Sequence, residues 1–130
     1  MHMEDYPITK FLEEDLSRED WSKYDRENGT KEISKAIKSI ASKYDYRCIP
    51  EYPAGKINGR GSYIDFVFSS RGRKILAGWN LIAIELDSSN KKNSLKKLEV
   101  LKNRGFQSVW IRWNTLNKLN IPEGVHLIQL

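Results

Sequence analysis

Apolar residues recur along this chain at two different periods. Ile33, Ala36, Ile37, Ile40, Ala41 and Tyr44 follow one another at three- and four-residue intervals, the spacing that gathers side chains on one face of a helix. Thr30 stands ahead of them as a candidate cap. Phe11, Leu12, Leu16, Trp21 and Tyr24 show the same spacing less regularly and predict one or two short helices packed on the core, with Thr9 and Ser17 as N-caps. A further helix is expected through Leu95, Leu98 and Leu101, opened by Asn93 or Ser94 and stopped by Gly105.

The other period is two. Residues 62–69 are rich in aromatic and β-branched side chains, and 81–87 form an apolar run that ends in Glu85, Leu86 and Asp87; both read as strands. Shorter strands are expected at 46–50, 108–113 and 125–130, with 51–61 as a loop rich in Pro and Gly that carries Lys56 and Arg60. The basic turn after residue 69 contains Arg71, Arg73 and Lys74. The order is therefore helix, three strands, helix, strand, an α/β arrangement behind a helical lead.

Composition narrows what this arrangement can be. A chain of 130 residues that is 39% hydrophobic can bury one modest core and not two, so a single domain over 1–130 is expected, with 1–28 as an extension, 29–113 as the core and 114–130 as a last turn and strand. The apolar run 75–86 is broken by Gly78, Trp79 and Asn80 and falls short of the roughly 20 residues that span a membrane. One cysteine, Cys48, permits neither an internal disulfide nor a cysteine-based zinc site. With no apolar leader at the N-terminus, a cytoplasmic location is the expectation.

Charge is unevenly placed. Residues 1–28 hold four Lys/Arg against nine Asp/Glu, a balance of −5, which leaves the remainder at +10 within a total of +5. A basic body suits a polyanionic partner, because clustered cations release condensed counterions from phosphates; a lysine-rich solvated surface is the plain alternative. The acidic lead offers a segment for a protein partner. Trp110 and Trp113 fall on opposite faces of their strand and are expected in the core, an exposed one being suited to base stacking or to a homodimer interface.

The acids carry the candidate chemistry. Strand alternation puts Leu81, Ala83, Glu85 and Asp87 on one face and Ile82, Ile84 and Leu86 on the other. Asp65 interrupts the preceding strand on the face of Tyr63 and Val67. Three carboxylates brought together in this way would form the oxygen-rich set that Mg²⁺ or Mn²⁺ prefers.

An acid on the second strand, followed by an acid, any residue and a polar position at the end of the third, resembles the PD-(D/E)XK nuclease superfamily with its restriction-endonuclease-like αβββαβ core and mixed central sheet. The resemblance covers residues 29–113. It implies Asp65 as the metal-binding aspartate, Glu85 at the (D/E) position and Asp87 where the family most often carries its lysine. Glu32 resembles the glutamate that many members add from the first helix. Some members move the lysine to the helix after the third strand, and on a helical wheel Lys97 lies between Val100 and Leu101, inside the mostly apolar arc. The plain alternative for that position is a lysine stem covering apolar surface.

What the resemblance implies is a metal-dependent endonuclease acting on DNA, with RNA left open. Asp65, Glu85, Asp87 and the Leu86 carbonyl would hold Mg²⁺ or Mn²⁺, and Lys97 would orient water or offset charge on the phosphate. Lys56, Arg60, Arg71, Arg73 and Lys74 would grip the backbone. The alternative is a nuclease-fold nucleic-acid-binding module without activity, or a subunit of a larger assembly.

Overall fold

The computed structural model describes residues 7–70, 81–88, 92–114 and 121–130. Helix α1 (Pro7–Ser17) is followed by a 3-10 turn (Trp21–Lys23) and the long helix α2 (Arg26–Lys43). Strands β1 (Tyr46–Ile57), β2 (Arg60–Ser70) and β3 (Leu81–Asp87) come next, then α3 (Lys92–Lys102), β4 (Gln107–Arg112) and β5 (Val125–Gln129). The five strands form one mixed sheet in the order β1-β2-β3-β4-β5. Neighbours from β1 to β3 run antiparallel, and those from β3 to β5 run parallel. β3 is where the pairing mode changes. None of the described helices is long and apolar enough to cross a membrane.

The sheet separates two apolar layers. Ile33, Ile37, Ile40 and Ala41 of α2 join Ile8, Leu12 and Leu16 of α1 against Phe66, Phe68, Ile82, Ile84, Leu86, Val109 and Ile111. On the opposite face, Leu98 and Leu101 of α3 pack with Val67, Ala83, Trp110 and Val125. The period-two pattern of β3 is thus used on both sides, as in a strand covered by helices above and below. Both Trp110 and Trp113 are buried.

Several boundaries differ from the sequence expectation, each for a local reason. The span 51–61 is not a loop, because β1 continues to Ile57 and turns through Asn58 (φ 54°) and Gly59 (φ 78°) into β2. Two successive left-handed residues make the tight hairpin that Asn-Gly favours, and this dipeptide was the available signal. Thr30 does not cap α2. Asp25 does, accepting a hydrogen bond from the Asn28 N–H at 2.8 Å, so the divide at residue 28 falls inside this helix. Ser17 ends α1, and Asp20 caps the 3-10 turn by accepting from the Ser22 N–H.

The hairpin also changes face along its length. Cys48, Phe66 and Phe68 belong to the layer under α1 and α2, whereas Tyr52 and Ile64 belong with Val67 to the layer under α3. Unbroken alternation would put Ile64 with Phe66. The switch falls at Glu51 and Asp65, between the paired rungs Pro50–Phe66 and Tyr52–Ile64. Glu51 is left-handed there (φ 50°), a conformation that costs an L-residue about 1–2 kcal/mol.

Candidate functional site

The irregular rung places Asp65 where β2 and β3 part. Regular pairing of the two strands ends at Phe66–Ile84, so the main-chain donors beyond it need other acceptors. Two carboxylates supply them. The Asp65 N–H donates to Glu85 Oε2 at 2.7 Å, and the Leu86 N–H donates to Asp65 Oδ2 at 2.8 Å. Each acid thus accepts from the main chain of the opposite strand, and the two side chains face each other across the opening.

Lys97 completes the group from α3. Its ammonium lies 3.0 Å from Glu85 Oε1 and donates to the Tyr63 carbonyl at 2.9 Å. A lysine has three donors, and the third has no partner among the described residues. Glu85 is 1% exposed. Its burial pushes the carboxyl up to about 7, the Asp65 charge adds to the shift, and Lys97 opposes it. Asp65 is also raised, first by burial and further by the charge of Asp87, against the Leu86 N–H and Lys97. The two acids interact closely enough to titrate as a pair.

Asp87 shares the face of Glu85 but has different partners. Its Oδ2 accepts from the Ser94 hydroxyl and, at 2.8 Å, from the Trp110 indole N–H. Its carbonyl accepts from the Trp113 N–H at 3.0 Å. Asp87 therefore ties the end of β3 to α3 and β4. Among the described residues, no three His, Cys, Asp or Glu side chains are grouped so as to hold a metal ion. The pair Asp65 and Glu85 is a smaller donor set, and it suits Mg²⁺, which keeps several waters and takes one or two carboxylates.

The remaining candidates are dispersed. Glu32 is directed to Lys35, 3.1 Å away on the same helix, and α2 covers the sheet face opposite to that of Glu85. Arg60 begins β2 and lines a groove of about 550 Å³ with Ile57, Asn58, Tyr63, Asn93 and Lys97. Lys56 is exposed near the same hairpin tip. Arg71, Arg73 and Lys74 lie outside the described residues. Sequence reasoning misses Ser94 and Trp110 as partners of Asp87; Ser94 reads as a helix cap in the sequence, and only the fold brings its hydroxyl to the strand end.

No family model, no curated protein and no solved structure matches this chain.

Proposed function

We propose that this protein is a metal-dependent nuclease that hydrolyses phosphodiester bonds in DNA. The observation that carries this reading is the convergence of Asp65, Glu85 and Lys97 within hydrogen-bonding distance where β2 and β3 part, beside a groove lined by Arg60 and Lys97. The order α2, β1, β2, β3, α3, β4, with antiparallel pairing up to β3 and parallel pairing beyond it, supports a restriction-endonuclease-like core and the PD-(D/E)XK assignment.

Asp65, Glu85 and the Leu86 carbonyl would hold Mg²⁺ or Mn²⁺, which when bound supplies Lewis acidity toward water and phosphate. The chain's own part is electrostatic. Lys97, anchored to Glu85 and Tyr63, presents its remaining donor to a nucleophilic water or to charge developing on phosphate. Arg60 and Lys56, together with Arg71, Arg73 and Lys74, position the backbone without reading sequence. Asp87 holds the strand end in register with α3 and takes no direct part.

A second reading is a nucleic-acid-binding module without chemistry, favoured by the commitment of Asp87 to Ser94 and Trp110. Incubation of the protein with single-stranded, duplex and branched DNA in Mg²⁺, Mn²⁺ or EDTA separates the two. Cleavage that requires a divalent ion and disappears in Asp65→Ala and Glu85→Ala, with circular dichroism unchanged, supports the nuclease. Binding without cleavage in every metal leaves the module.

A further inference from the structure

The exposed large hydrophobic side chain among the described residues is Tyr63, at 56% exposure. Its position follows from the hairpin's change of face, which turns Ile64 into the layer under α3 and leaves Tyr63 outside. The main chain of Tyr63 is fixed to the candidate site, since its carbonyl accepts from Lys97 at 2.9 Å. Tyr63 lines the groove that also contains Arg60, Ser62, Asn93 and Lys97.

We infer that Tyr63 is a stacking platform for an unpaired base and that the substrate of this site is DNA with unpaired nucleotides at or beside the cleaved phosphate. The inference rests on the nuclease reading and deepens it. An aromatic face accepts any base, and cations on the same groove offset the adjoining phosphates. A base inside a duplex has both faces covered by its neighbours, so only a nucleotide out of the stack can use the ring. The groove thus combines a sequence-tolerant base contact with a phosphate contact one side chain away from Glu85.

Binding measured in EDTA by fluorescence anisotropy isolates this contact from cleavage. The probes are a labelled oligothymidylate, a blunt duplex, and the same duplex with a single-stranded flap. Tyr63→Ala should weaken oligothymidylate and flap binding by roughly 5- to 150-fold, the loss expected from one base–aromatic stack, and change blunt-duplex affinity by less than about twofold. Tyr63→Trp should keep the single-strand affinity. Arg60→Ala should weaken all three probes and lower the salt dependence by about one charge, which Tyr63→Ala should leave unchanged. Unaltered oligothymidylate affinity in Tyr63→Ala, or an equal loss on the blunt duplex, overturns the inference. If wild type cleaves nothing in Mg²⁺ or Mn²⁺ while Tyr63-dependent single-strand binding persists, the nuclease reading falls and the stacking contact stands. Cleavage together with Tyr63-independent binding gives the reverse result.

Discussion

A carboxyl whose pKa rises on folding binds its proton more tightly in the native state than in the unfolded chain. For Glu85 the change is from an ordinary 4.5 to about 7, so its contribution to stability is present in full below the lower value and is lost as pH rises to the upper one. Asp65 shifts in the same direction. The lowered carboxyls Asp15 and Asp20 titrate below their ordinary 3.8, outside this window. In EDTA the wild type should therefore melt at a higher temperature near about pH 5 than near about pH 8, and Glu85→Gln should flatten that dependence. Mg²⁺ should restore stability to the wild type at the upper pH and not to the variant; identical pH profiles for the two proteins would remove Glu85 from the account. For cleavage, Lys97→Ala should cost about 10²–10³-fold in turnover, the usual loss of one charge-stabilising donor, while Lys96→Ala, at an exposed position, should stay near wild type. The pairing of Asp65 with Glu85 could be read in outline from alternation along two strands. The partners of Asp87 could not, because Ser94 and Trp110 reach it from other elements.

Helix α2 shows how tertiary packing overrides local signals. Its apolar stripe is plain from residue spacing, yet the candidate cap Thr30 lies inside the helix, one residue after Gly29. The structure uses that glycine as a slot. A Cβ at Gly29 would intrude on the Trp113 ring, and the Trp113 indole N–H donates to the Thr30 hydroxyl at 3.1 Å. Gly29→Ala should gain helix propensity and lose more to overpacking, with a net destabilisation of about 1–3 kcal/mol in urea unfolding. A variant as stable as wild type would mean that the ring relaxes without cost. The hairpin gives the opposite case, since Asn58-Gly59 is a sufficient turn signal within a span whose Pro and Gly content reads as a loop.

Across the whole molecule, the acidic lead belongs to the core. Ile8, Leu12, Leu16 and Trp21 are all buried, and Asp15 bonds both Lys43 and Tyr44 at 3.1 Å. At about 1.5–3 kcal/mol for each large buried side chain, removal of these four forfeits about 6–12 kcal/mol, comparable with the 5–15 kcal/mol by which domains are stable. Deletion of residues 1–24 should thus abolish the cooperative melt; a truncated protein that still unfolds cooperatively would make the lead dispensable. Charge counting records sign and not burial; the helical spacing of Leu12, Leu16 and Trp21 is the signal that the lead packs on the core. The Trp113 ring in the Gly29 slot has a further consequence for biosynthesis. The helix that forms the slot leaves the ribosome more than 80 residues before the ring that fills it, an interval set by the 83-residue separation of Thr30 and Trp113. β3 likewise emerges before β4, its parallel partner. A nascent chain from which β4 and Trp113 have not yet emerged therefore carries an unfilled apolar cleft and a half-paired central strand, surface open to chaperone capture, and consolidation waits for both.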